Sequence, residues 1–293
     1  MTEGLSDVMA RIGSVRQLSS VIGAMRGIAA AREREARARL DGVRAYARTV
    51  GAAIGQALAL MDETAGAPHD GRDGQLVIAL CAEQGFAGTF NRRVLDAAER
   101  LLKSAGSQPA ELMVLGGRGL AAAEERRLRI GWSASMIAHV DEAAALADRV
   151  TEQLYARLDE GRATRVSLAH ATPSPSGDIH VVEHTLAPFD FTRFPRAQNP
   201  SPPLVSLPPG LLLAELAEEY VFAELTEAVT LSLAAENEAR MRAMTAAKTN
   251  VAKMLDDLVA RSRQLRQEEI TNEIIELGAR KAGNGMRARA DTK

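Results

Sequence analysis

Aromatic residues make up only 3% of the chain, although hydrophobic residues make up 46%. Alanine carries much of the apolar share, which favours helices over aromatic-rich β-sandwiches. Cys81 is the single cysteine, so a disulfide framework and a cysteine-rich metal site are both excluded, and a reducing compartment is expected. No apolar run of about 20 residues occurs; "GLLLAEL" (210–216) is too short to span a membrane. The stretch "MTEGLSDVMARIGSV" lacks the basic start and unbroken apolar run of a signal peptide, and none is expected. The formal net charge of -2 gives no general attraction to nucleic acid.

Proline is missing where it matters most. All eleven prolines lie between Pro68 and Pro209. Two proline-free arms therefore flank a proline-containing middle, which predicts long helices in both arms. Three segments follow: 1–67, 68–209 and 210–293. In the first arm Val8, Ile12, Val15, Leu18, Ile22, Met25 and Ile28 step by threes and fours, and Leu40, Val43, Tyr46, Val50, Ile54, Leu58 and Met61 continue the stripe. In the last arm Met244, Lys248, Val251, Leu255, Leu258, Ser262 and Leu265 alternate steps of four and three. That 3.5-residue repeat marks a left-handed coiled-coil seam, with Lys248 and Ser262 as polar interruptions. The two arms pair antiparallel if the middle joins their far ends. Two separate amphipathic helices on a compact core are the alternative.

The middle alternates strand and helix. Strands are expected at 75–82, 111–117, 164–171 and 178–186, and helices at 92–106, 118–126 and 141–161. Such alternation predicts an α/β domain with a mainly parallel sheet covered on its faces, and the last two strands read as an antiparallel hairpin. Residues 187–210 form a proline-rich connector back to the last arm.

Signals of chemistry are sparse. The loop Gly85-Phe86-Ala87-Gly88 follows a strand and precedes a helix, where phosphate-binding loops occur. It has neither the three-glycine dinucleotide fingerprint nor the Lys-Ser/Thr pair of a P-loop, and "GGRG" (116–119) is equally incomplete. His180 and His184 lie four apart in a predicted strand, too distant for easy joint metal ligation. No Gly-x-Ser-x-Gly elbow is present, and Cys81 lies within an apolar run as a structural thiol would. No catalytic residue, cofactor or metal is predicted. One charge pattern stands out. Residues 26–48 hold seven arginines (Arg26, Arg32, Arg34, Arg37, Arg39, Arg44, Arg48) against three acids (Glu33, Glu35, Asp41). This excess of positive charge is either a solvated face or a surface for an acidic partner.

"IGSVRQLSSVIGAMRGIAAA", "ENEARMRAMTAAKTN" and "RQLRQEEITNEIIEL" together resemble the γ subunit of F-type ATP synthases, in order and in spacing. The loop "QGFAGTFN" is similar to that family's "R-G-L-C-G-G-x-N", keeping Asn91 and two glycines. The resemblance implies a long antiparallel coiled coil of the N- and C-terminal helices with a central Rossmann-like α/β domain. It implies a non-catalytic rotor shaft, one copy per complex. The shaft stands inside the alpha3–beta3 hexamer and touches the epsilon subunit and the c-ring, and it meets the membrane only through the Fo partner. The implied location is the cytoplasmic face of the bacterial inner membrane, peripheral, in the F1 sector. Carried over by motif, Met25, Arg32, Arg34, Arg37, Glu236, Arg240, Arg266, Gln267 and Thr271 are expected to contact the hexamer. The basic tail 279–293 extends past the family's usual end and is expected to be disordered. Two other readings stay open: a Rossmann-like nucleotide-binding enzyme with a helical oligomerisation stalk, and a coiled-coil scaffold with unrelated partners.

Overall fold

The computed structural model describes residues 4–61, 74–174, 178–197 and 203–290, with side chains up to residue 278. Along the chain run α1 (Leu5–Ala59), β1 (Gln75–Leu80), α2 (Phe90–Ser104), β2 (Ala110–Leu115) and α3 (Gly117–Glu125). They are followed by β3 (Ile130–Ala134), α4 (Ala143–Asp159), β4 (Arg165–Thr172), β5 (His180–Ala187) and α5 (Pro209–Ala290). Pro209 opens α5 at its first residue, where proline's missing N–H costs nothing and its fixed φ suits a helix. The backbone of α5 is helical through Ala290, so the expected disorder of the tail does not hold up to that residue. Tail residues 291–293 lie outside the described residues.

The chain divides into two compact units, Met1–Arg26 with Met244–Lys293, and Gly27–Ala243. In the larger unit the sheet order is β3-β2-β1-β4-β5. β1 pairs in parallel with β2 and β4, β2 in parallel with β3, and β4 antiparallel with β5. The predicted hairpin is therefore present. β3 is an addition. Its sequence, Ile-Gly-Trp-Ser-Ala, is short and half-exposed at the sheet edge, with a glycine and a serine between its apolar residues. It thus lacks the apolar run that marks the buried strands.

β1 is central and wholly buried, and its alternate side chains feed two cores. Leu76, Ile78 and Leu80 pack with Leu146 and Val150 of α4 and with Val221, Leu225, Val229 and Leu233 of α5. Val77 and Ala79 pack with Val94 and Leu95 of α2 and with Ala123 of α3. Helices therefore cover both faces of the sheet, and each fully buried leucine or isoleucine contributes about 1.5–3 kcal/mol. A third cluster joins Val50 and Ile54 of α1 to Phe194 and Leu213. Within this unit polar contacts also link the long helices: Arg37 with Glu238, Arg44 with Glu227, and Tyr46 with Glu219. As the position rises on α1 it falls on α5, so the two helices run antiparallel.

In the smaller unit Val8, Ile12, Ile22, Met244 and Val251 are buried, and Leu255, Leu258, Ser262 and Leu265 are half-buried. Lys248, expected in the seam, is exposed, and Ala247 is half-buried beside it. A lysine head keeps its hydration by turning outward, and the smaller neighbour takes the inner position.

Candidate functional site: the closed edge of the sheet

In open α/β sheets, ligands bind outside the carboxyl ends of the strands where the order reverses direction. Here that point lies between β1 and β4, because the chain passes from β1 to β2 and β3 and then returns to β4 on the other side. The loop after β1 carries the glycines that suggested a phosphate site. Gly88 has φ +61°, a conformation that glycine adopts without strain. Phe86 has φ +65° and is 66% exposed, an unusual backbone for a bulky residue.

Helix α5 closes this edge with polar groups one turn apart. Ser232 Oγ donates to the Leu80 carbonyl at 3.2 Å. Glu236 Oε1 accepts from the Gln84 amide at 3.4 Å and pairs with Arg240. Arg240 donates from Nε to the Gly85 carbonyl at 3.2 Å, from Nη2 to the Gln84 carbonyl at 3.4 Å and from Nη1 to Asn237 Oδ1 at 2.8 Å. Glu236 and Arg240 are only 3% and 4% exposed. Burial pushes the Glu236 carboxyl above its ordinary value, and the adjacent guanidinium and loop amides pull in the opposite direction. The other long helix reaches the same loop, through Arg32 Nη1 on Gln84 Oε1 at 3.3 Å.

The polarity of this contact decides its chemistry. A phosphate-binding loop aims N–H groups at an anion. This loop aims the carbonyls of Gln84 and Gly85 at the Arg240 guanidinium and the Gln84 N–H at the Glu236 carboxylate, so these groups are taken by a cation and an anion that the chain itself supplies. Side chains beside the loop are also engaged. Asn91 Oδ1 accepts from the Ala82 amide at 2.8 Å, and Glu83 Oε2 accepts from Gly117 N at 2.9 Å and Met136 N at 2.8 Å. Glu238 Oε2 takes the Ser174 amide at 3.3 Å beyond the end of β4. Burial pushes the Cys81 thiol up to about 12, away from nucleophile chemistry. His184 Nε2 bonds Glu224 Oε2 at 3.1 Å, and His180 Nδ1 lies 3.3 Å from Thr172 Oγ1. Among the described residues no three His, Cys, Asp or Glu side chains are grouped as a metal ion requires.

The nine positions carried over by motif are not one site. Glu236 and Arg240 are internal, as just described, and Arg32 is half-buried against Gln84. Arg37 is exposed and paired with Glu33 and Glu238. Arg34 is exposed, as are Arg266, Gln267 and Thr271, while Met25 is half-buried. Sequence reasoning missed Ser232, Gln84 and Glu83. Ser232 could have been found, because it stands four residues before Glu236 and eight before Arg240, on one helix face.

The geometry defines a class of protein: an α/β domain built onto two long antiparallel helices, its ligand edge closed from within. A family model described as ATP synthase matches residues 4–279, and the chain belongs to that family. It is 27% identical to an ATP synthase gamma chain of Solibacter usitatus, over 93% of this chain and 96% of that one. It is 28% identical to the gamma chain of Moorella thermoacetica, over 94% and 97%. A chain of the Euglena gracilis mitochondrial ATP synthase, in a structure of its OSCP, F1 and c-ring, shares the fold. The TM-score is 0.64 at 12% identity, over 99% of this chain and 96% of that one. A rotor chain of the same synthase gives 0.60 at 13% identity, over 91% and 98%.

Proposed function

We propose that this chain is the central rotor shaft of an F-type ATP synthase, a non-catalytic subunit that couples ion-driven rotation to nucleotide-affinity changes in the catalytic beta subunits. The observation that carries the reading is α5. It is one helix from Pro209 to Ala290, built into the α/β domain at one part of its length and carrying exposed Met254, Ile270, Ile274, Ile275 and Leu277 at another. Exposed apolar side chains along a helix suit contact with surrounding subunits. A shaft that makes different contacts with each beta subunit shifts each toward a different conformation, which is the thermodynamic requirement for coupling.

On this reading the partners are the alpha and beta subunits of the hexamer, the epsilon subunit and the c-ring, with one shaft per complex. The location is peripheral, on the cytoplasmic face of the bacterial inner membrane. Among the described residues no helix is long and apolar enough to cross a membrane, so membrane attachment falls to the Fo partner. Arg34, Arg37, Arg266, Gln267 and Thr271 are exposed and available to the hexamer, and Met25 and Arg32 are half-buried. Glu236 and Arg240 reach it only through the loop they hold. Segments 1–67 and 210–293 form the shaft, and 68–209 the domain that receives torque.

The test is reconstitution of the alpha3–beta3 hexamer with and without this chain. Stable incorporation with altered ATPase activity is expected. A chain that neither joins the hexamer nor changes its turnover sinks the proposal.

A further inference from the structure

We infer that Glu236 and Arg240 are positioning residues that lock the central strand of the α/β domain to helix α5, so that the two turn together. The inference rests on the rotor reading, because only a rotating shaft needs such a lock. The packing between α5 and β1 is apolar, through Val221, Leu225, Val229 and Leu233 against Leu76, Ile78 and Leu80. Apolar burial is nearly indifferent to direction, so it holds the surfaces together without fixing how far one slides or turns against the other. Hydrogen bonds have narrow angular preferences and do fix register.

The directional contacts between α5 and the end of β1 form one line. Ser232, Glu236 and Arg240 stand at successive turns of α5 and grip Leu80, Gln84 and Gly85, the end of β1 and the loop that leaves it. Arg240 makes three bonds besides its pairing with Glu236, using both sides of the guanidinium fork. A planar fork held on several acceptors resists both translation and rotation. Arg32 on Gln84 ties α1 to the same loop, so two helices and the central strand meet there. The ion pair is a poor source of stability, since desolvating two charges offsets most of their attraction. The best-attested use of such a pair is to fix register. The lock also holds the loop on which Phe86 is exposed with φ +65°.

The test replaces the pair by apolar side chains of similar volume, Glu236→Leu with Arg240→Met, in the full chain and in the complete membrane-bound synthase. Amide exchange of residues 84–88 in the isolated chain is expected to quicken by roughly tenfold, as when a hydrogen bond to a charged group is lost. In the synthase, ions moved per ATP hydrolysed are expected to fall. Unchanged exchange, or quicker exchange with an undiminished ratio, overturns the lock. If the double variant does not assemble, Arg240→Lys keeps the charge but not the fork, and exchange at normal rates in that variant equally overturns it. Failure of the unaltered chain to support any ion movement counts against the rotor reading instead, and the exchange measurement still judges the lock.

Discussion

Gly119 sits against Cys81 so closely that a Cβ on the glycine would overlap the cysteine's own Cβ. The two residues belong to α3 and to the position just past β1, and their contact sets how near the helix approaches the sheet. Gly119→Ala is intrinsically favoured in a helix by up to about 1 kcal/mol. Overlap in a packed core costs about 1–3 kcal/mol, so steric strain wins and the variant is expected to be less stable. Cys81→Ala keeps the Cβ and is not expected to rescue it. A denaturation midpoint for Gly119→Ala at or above that of the parent chain contradicts this account.

His170 supplies a pH dependence whose sign follows from its burial. It lies in β4, and desolvation lowers its pKa from 6.5 to about 4. The Ala171 carbonyl and Glu227 of α5 pull the value up, and His180 and His184 of β5 push it down with the burial. Between those two values the unfolded chain binds the proton and the folded chain does not. Stability therefore rises with pH across that window and is lost as pH falls from about 6.5 toward 4. The loss is on the order of 3 kcal/mol at most. Glu224 is depressed despite its burial, because His184 and Arg193 hold its charge, so its own stabilisation begins to be lost only as pH falls through the ordinary carboxylate value of 4.5, and the loss continues below it. Urea midpoints of the parent chain and of His170→Gln, compared from pH 7 to pH 5, give the check. An equal slope in both would remove His170 from the account.

The sheet's closed edge was half legible. Gly85 and Gly88 place a tight turn between strand and helix, and Gly88 has the left-handed backbone that such a turn uses. What closes the edge was not legible, because Arg240 and Gln84 are 156 residues apart and no local pattern pairs them. The motif resemblance places Glu236 and Arg240 against the hexamer, whereas both are buried within the chain. Charged residues on a helix are usually solvated, and only tertiary context makes these two an exception.

The C-terminal seam is graded, and mutational cost is expected to follow the grading. Val251 is buried while Leu255 and Leu258 are half-buried. Burying an unpaired charge costs several kcal/mol, and a partly exposed one escapes much of that by turning toward water. Val251→Asp is therefore expected to lower the thermal midpoint more than Leu258→Asp, and Lys248→Asp is expected to leave it nearly unchanged. A larger effect at Leu258 than at Val251 would show that the seam lies elsewhere on the helix.

The N-terminal seam was harder to see because it is made largely of alanine. Large apolar residues drew the eye to Leu18 and Ile28, which are 48% and 55% exposed. The buried positions are Ala29, Ala36, Leu40, Ala47, Val50, Ile54 and Ala57 in the larger unit, repeating at sevens through Ala29, Ala36, the half-buried Val43, Val50 and Ala57 and through Leu40, Ala47 and Ile54. That is a heptad repeat in which small side chains bring backbones close. Ala36 packs in the same core as Val229, Leu233 and Ala234 of α5. Ala36→Leu adds three carbons where no space exists and is expected to cost about 1–3 kcal/mol. Ala38→Leu, two residues on and exposed, is expected to fall within about 0.5 kcal/mol of the parent chain. Leucine is nearly as good a helix former as alanine, so propensity cannot produce the difference, and packing alone must. Chemical denaturation of both variants decides it, and equal midpoints would mean that α1 does not press on α5 at Ala36.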